Sequence, residues 1–238
     1  MMVSTRLWRG GVVSDKRDLD RIQALTDKIK GIALCRPLLL AVDGWASSVT
    51  AFRHSFRTAL PRRPGETGRP QLMAWPEIAI VQVVKQRGAG QRHITRRILQ
   101  GSQAMVHRLI QTTQGAGGIN TAFIERLNAT FRQRLHSLAR KTRTWVRKAE
   151  TLEAGMSRVG CRYNFCDPHH SLRLKLSLGS FGYRWVQRTP ALAAGLTDHI
   201  WTPSELFHFK APLPRWEPPK QRGRPSQKTL QLIEQWRQ

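Results

Sequence analysis

The chain has 238 residues, enough for one core domain with extensions, and its 40% apolar content is ordinary for a soluble globular protein. The charge is not ordinary: 40 Lys and Arg face 15 Asp and Glu, a formal +25 at neutral pH. Such an excess opposes the compact state unless a polyanion neutralises it. Nucleic acid is therefore the first partner to expect, ahead of a ribosomal or chromosomal structural role or an acidic membrane surface.

No run of about 18 apolar residues occurs, so no spanning helix is predicted, and the first residues, MMVSTRLWRGGVV, lack a signal-peptide core. Cys35, Cys161 and Cys166 are too few and too scattered for a disulfide framework. Both points suggest a cytoplasmic or nucleoid-associated protein without a membrane partner.

In chain order, residues 5–13, around Gly10-Gly11, are predicted as a short strand or hairpin arm. Ser14 is placed to cap the following helix, its hydroxyl accepting a free amide of the first turn. Leu19, Ile22, Leu25, Ile29 and Ile32 recur at steps of three and four, the period of an amphipathic helix, and Pro37 ends that region. The run LLLAV, residues 38–42, reads as a fully buried strand of the parallel-sheet kind that stops at Asp43-Gly44. Ser47 or Ser48 then caps a second helix carrying Val49, Phe52 and Phe56.

The loop PRRPGETGRP precedes a second strand at residues 78–84, and a Gly-rich turn at Gly88 and Gly90 leads to a return strand near residues 93–98. A short helix is predicted over 102–112, with a break at Gly115, Gly117 and Gly118. Asn120 is placed to cap a long helix with the apolar stripe Phe123, Leu127, Phe131, Leu135 and Leu138. Between Glu125 and Glu150 there is no acid, whereas Arg126, Arg132, Arg134, Arg140, Lys141, Arg143, Arg147 and Lys148 are basic. A solvated helix face normally balances itself with i,i+4 ion pairs, and this one has none to make, which favours a phosphate-facing surface. Residues 212–228 read as an extended Pro-rich tail, and residues 230–236 as a last short helix.

Two acids stand where metal chemistry would use them. Asp43 sits at the carboxyl end of a buried strand, where open α/β sheets place functional groups. Glu125 lies in the first turns of the long helix. Phosphoryl transfer needs divalent ions held by carboxylates on rigid elements, and an Asp at a strand end and a Glu on a helix can converge across one packed layer. Arg132, two turns after Glu125 and nearly eclipsed with it, would hold a DNA phosphate, and Asn128, one turn on, would contact the same strand. Taken singly, Asp43 also reads as a turn-forming Asp-Gly, and Glu125 as a first-turn acid suited to the helix dipole.

Three ordered blocks, INTAFIERLNATFRQRLHSLARKTR, YNFCDPHHSL and TPALAAGLTDHIWTPSELF, resemble the C-terminal half of DDE transposases of bacterial insertion sequences. The resemblance runs from about residue 5 to about residue 225. It implies that Glu125 is the last acid of the catalytic triad with Arg132 as its basic companion. It also implies that Asp43, in LLLAVDGW, is the second acid, and that Mg²⁺ or Mn²⁺ is the cofactor. In such enzymes the first Asp lies on an opening strand before the segment STRLWRGGVVS, whereas Asp15, Asp18, Asp20 and Asp27 all fall on or beside the next helix.

The expected fold is thus α/β: an RNase H-like mixed sheet flanked by helices, missing its first strand, with a helical C-terminal part and a basic tail. The expected division is a partial catalytic domain over 1–165, an extension over 166–211 and the tail over 212–238. The expected function is metal-dependent DNA cleavage and strand transfer by an insertion-sequence transposase, in an inactive or partial copy. Double-stranded DNA is the expected partner, with homo-oligomers forming on it. The alternative is a non-catalytic DNA-binding protein that inhibits transposition.

Two further segments carry weaker signals. Cys161, Cys166, His169 and His170 have an unusual spacing for zinc, and packing of Tyr163 and Phe165, with both cysteines as small buried hydrophobes, is the preferred reading. Arg222-Gly223-Arg224-Pro225, flanked by Lys220 and Lys228, resembles the AT-hook, whose arginines enter the narrow minor groove of A·T-rich DNA.

Overall fold

The computed structural model describes residues 1–14, 18–33, 37–61, 65, 67–87, 92–114, 118–119, 121–139, 141, 143–144, 146–210 and 226–235. In chain order its elements are α1 (Leu19–Ile32), β1 (Leu38–Asp43), α2 (Ala46–Ser55), β2 (Arg57–Ala59), β3 (Leu72–Ala74), β4 (Ile78–Arg87) and β5 (Arg92–Gln100). There follow α3 (Gln103–Gln114), α4 (Ala122–Arg134), α5 (Ala149–Phe165), β6 (Leu174–Ser177), β7 (Tyr183–Val186), α6 (Pro190–Ala193), α7 (Pro203–His208) and α8 (Gln227–Gln235). Contacts divide the chain into two units, Met1–Leu206 and Phe207–Gln238, the second containing α8. No helix among the described residues is long and apolar enough to cross a membrane.

The two apolar runs form the centre of the first unit. β1 pairs in parallel with β4 from Leu38↔Ile78 to Asp43↔Val83, and β4 pairs antiparallel with β5, giving a mixed sheet of order β1-β4-β5. Side chains alternate across a strand, so β4 serves two cores. Ala79, Val81 and Val83 pack with Val106 and Leu109 of α3, with Ile119 and with Leu39 of β1. Ile78 and Ile80 face the other way, with Val42, with Phe52 and Phe56 around α2, and with Ile29 of α1. β4 is covered on both faces and so carries apolar residues at consecutive positions, whereas β1, at the side of the sheet, is not the fully buried strand expected: of its residues only Val42 is buried, and Ala41 is exposed. Ile80 is fully buried, so Ile80→Ala would cost about 2–5 kcal/mol.

A third core lies between α4 and α5, where Leu127 and Phe131 meet Val159 and Tyr163, with Trp8 packed against them. Residues 5–13 are not the strand that their composition predicts. The Asn164 side chain accepts from the Trp8 backbone N–H at 2.9 Å and donates to the Trp8 carbonyl at 2.8 Å. At Trp8 the arm is thus satisfied by one buried side-chain amide instead of a strand ladder.

Other expectations are corrected in the same way. Asp18, not Ser14, caps α1, accepting from Arg21 N–H at 3.0 Å. The long helix ends at Arg134, because Leu135 turns to extended backbone before a 3-10 turn at His136–Leu138. Basic residues beyond Arg134 therefore do not continue one helix face. Cys161 is exposed and Cys166 only half-buried, so neither is a buried hydrophobe. Helices do cover both faces of a mixed sheet, as the α/β reading expects, and α5 to α7 supply helix after residue 148. The hairpin β6–β7 was not foreseen.

Candidate functional site

Asp43 is the last residue of β1 and is exposed. Its Oδ1 accepts from the Trp45 backbone N–H and from the Ser48 hydroxyl, both at 3.3 Å. Ser48 thus steadies the Asp43 loop and does not cap α2, whose first residue is preceded by Trp45 with no side-chain cap bond.

Glu125 reaches the same part of the sheet from α4. Ile119 is buried in the α3-side core, and its carbonyl accepts from Arg96 Nε at 2.6 Å, which fixes the chain just before α4. Thr121 then begins the helix, and its hydroxyl donates to Glu125 Oε1 at 2.7 Å. The same oxygen takes the ammonium of Lys85 at 2.5 Å. Asn120, the expected cap, lies outside the described residues.

The strand register relates the two acids. Asp43 is the partner of Val83, and partners in a parallel pair project to the same face. Lys85 is two residues beyond Val83 and so shares that face, which is the side of α3. Asp43 and the Glu125 partner Lys85 therefore occupy adjacent same-face positions at one end of the sheet. The two acids are thus related through Lys85, whose face of the sheet Asp43 shares and whose ammonium Glu125 binds.

Asn128 and Arg132 lie on α4 and are exposed. Helical spacing sets them on the stripe of Glu125, which flanks the buried pair Leu127 and Phe131. Lys220, Arg222, Arg224 and Pro225 lie outside the described residues. Around α4 the field is positive. Arg6 stacks on Phe123 at 3.6 Å, and its pKa is lowered by burial and further by Arg126. His169 is held below the ordinary imidazole value mainly by burial, then by Arg6, Arg126 and His170. Arg134 and Arg162 are paired with Asp167.

The donor chemistry suits a hard divalent cation, because Asp43 and Glu125 offer carboxylate oxygens and Glu125 already holds a cation in the Lys85 ammonium. Among the described residues no three or more His, Cys, Asp or Glu side chains form a group able to hold a metal ion. The Cys161, Cys166, His169 and His170 segment forms no such group either.

Lys85 and Thr121 are the site residues that sequence reading missed. Lys85 had a usable signal: it follows Ala79, Val81 and Val83 at the same two-residue spacing, a charge at the end of an apolar face. Comparison of the chain with protein-family models, with curated proteins and with solved structures gave no match.

Proposed function

We propose that this chain binds double-stranded DNA and is the core of an RNase H-like DNA transposase, with Asp43 and Glu125 as the acids of its reaction site. The observation that supports the reading is that Asp43 shares a face and end of the β1–β4 pair with Lys85, the partner of Glu125. The +25 charge supports a polyanionic partner. The three sequence blocks described above support the family.

Asp43 and Glu125 would hold Mg²⁺ or Mn²⁺, which when bound supplies Lewis-acid polarisation of a phosphodiester oxygen. Ser48 and the Trp45 amide orient the Asp43 carboxylate, and Thr121 orients that of Glu125. Arg132, on the Glu125 stripe, binds a neighbouring phosphate, and Asn128 contacts the same strand. The Arg222-Gly223-Arg224-Pro225 segment binds the minor groove of A·T-rich sequence.

A second reading, a DNA-binding protein without catalysis, is favoured by one observation. Among the described residues no three or more His, Cys, Asp or Glu side chains form a metal-holding group, and Glu125 is paired with Lys85. Incubation of the full chain with labelled element-end duplexes and Mn²⁺ separates the two. Nicking that disappears in Asp43→Asn and in Glu125→Gln supports the enzyme. Binding without nicking leaves the second reading, and nicking that survives Glu125→Gln overturns the assignment of the acids.

A further inference from the structure

The hairpin β6–β7 takes no part in the three cores, and all eight of its strand residues are exposed. The register is Leu174↔Val186, Lys175↔Trp185, Leu176↔Arg184 and Ser177↔Tyr183. One face therefore carries Leu174, Leu176 and Val186, and the other Tyr183 and Trp185. The tip turns through Gly179 and Gly182, at φ of 64° and 88°, backbone that favours glycine. Between them stands Phe181, 89% exposed. The tip is closed by Leu178 N–H donating to the Gly182 carbonyl at 2.8 Å, and the base by His169 N–H donating to the Arg188 carbonyl at 2.9 Å.

A lone two-stranded hairpin is marginal in water, and large apolar side chains standing in solvent forgo the free energy of burial. This hairpin is built to meet a partner, and its charge says which. Residues 173–188 contain Arg173, Lys175, Arg184 and Arg188 and no acid. Two of these cations line the aromatic face, Arg173 at 4.1 Å over the Trp185 ring and Lys175 at 4.1 Å over Tyr183. A second copy of the chain would oppose the same four cations to one another. A polyanion with an apolar interior would meet both the cations and the exposed tip, and duplex DNA, with phosphates outside and stacked bases inside, is such a partner.

We infer that β6–β7 is a DNA-distorting arm, in which Arg173, Lys175 and Arg184 contact phosphates while Phe181 inserts at a base step of the duplex. The inference rests on the DNA-binding reading above and adds to it a site and a mode of contact. Apolar side chains that enter between base pairs unstack and kink the duplex. Part of the unstacking cost is already met where a step is mismatched.

The test uses the full chain and two duplexes identical except for one mismatched pair. The wild type is expected to bind the mismatched duplex about tenfold more tightly, as an inserting side chain requires. Phe181→Ala should remove that preference with an unchanged circular-dichroism spectrum, since the ring is exposed, and Phe181→Leu should keep most of it. Lys175→Gln with Arg184→Gln should weaken both duplexes alike. A Phe181→Ala protein that retains the preference overturns the arm. So does one whose only defect is reduced self-association in sedimentation, or reduced binding to phosphatidylserine vesicles. A wild type that binds neither duplex removes the DNA reading itself, an outcome distinct from loss of the arm alone.

Discussion

Lys85 of β4 and Glu125 of α4 form an ion pair that joins the sheet to the helix 40 positions further along the chain. Their side chains are 41% and 56% exposed, so solvent screens the pair and it contributes at most about 1 kcal/mol to stability. A divalent ion arriving at Glu125 has little to displace. Lys85→Met should shift the melting temperature by no more than about 4 °C. It should tighten Mn²⁺ binding by up to about fivefold, the ratio that corresponds to the lost pair. Electron paramagnetic resonance of free Mn²⁺ reads this directly. Unaltered Mn²⁺ binding in both Asp43→Asn and Glu125→Gln would remove these acids from metal chemistry.

The residues explain why some of this arrangement could be read from sequence and some could not. β1, β4 and α1 follow from local patterns, a continuous apolar run or a three-to-four period, although only β4 buries its run, and Leu19 and Ile32 at the ends of the α1 stripe are exposed. The Trp8 arm follows from no local pattern. It is held by Asn164, 156 positions away, whereas Thr5, Val12 and Val13 favour a strand locally. α4 stops at Arg134 although its apolar stripe continues through Leu135 and Leu138, because those two residues pack against the α4–α5 core from outside the helix. Asp43 and Glu125 were legible as single residues at element ends. The link between them through Lys85 was not, since it depends on the β1–β4 register and on a pairing that periodicity does not reveal.

Binding to DNA should depend steeply on salt. A protein that neutralises about 6–10 phosphates releases as many condensed cations, and its affinity falls by on the order of a thousandfold or more between 50 and 200 mM salt. Fluorescence anisotropy with a labelled duplex at four salt concentrations gives the slope. Arg132→Ala should lower that slope by about one unit with no change in sequence preference. A flat curve for the wild type would mean that the charge serves another partner.

Gly160 should tolerate no side chain. It lies on α5 against the indole of Trp8, and a Cβ there would overlap the ring. Trp8 in turn packs on Phe131 with centroids 5.3 Å apart, so the ring cannot move without disturbing the α4–α5 core. Gly160→Ala should therefore destabilise the fold by about 1–3 kcal/mol, although alanine favours helix. Urea denaturation of a double-mutant cycle isolates the cause: in a Trp8→Ala background the same substitution should be neutral or stabilising. An equal loss in both backgrounds would place the strain elsewhere.

Two histidines should titrate on opposite sides of the ordinary imidazole value of 6.5. His199 donates to Asp198 at 2.6 Å and to Glu205 at 2.8 Å, and those carboxylates raise its pKa by favouring the imidazolium. His169 is lowered, first by burial and then by Arg6, Arg126 and His170, which disfavour a further positive charge. Its Nδ1 accepts from the Ser171 backbone N–H at 3.3 Å, which leaves the proton of the neutral ring on Nε2. The signs for stability then differ. The contribution of His199 is complete below its unfolded pKa and is lost as pH rises through the higher folded value. For His169 the folded state binds its proton less readily than the unfolded chain. Stability is therefore lost as pH falls from the unfolded value through the lower folded one. Histidine Cε1 resonances followed by NMR between pH 4.5 and 8.5, a span of about two units on either side of the ordinary value, should show His199 with the higher midpoint. Glu205→Gln should lower the His199 midpoint and leave that of His169 in place. A His169 midpoint above that of His199 would contradict the burial of the His169 ring or the carboxylate pairing of His199.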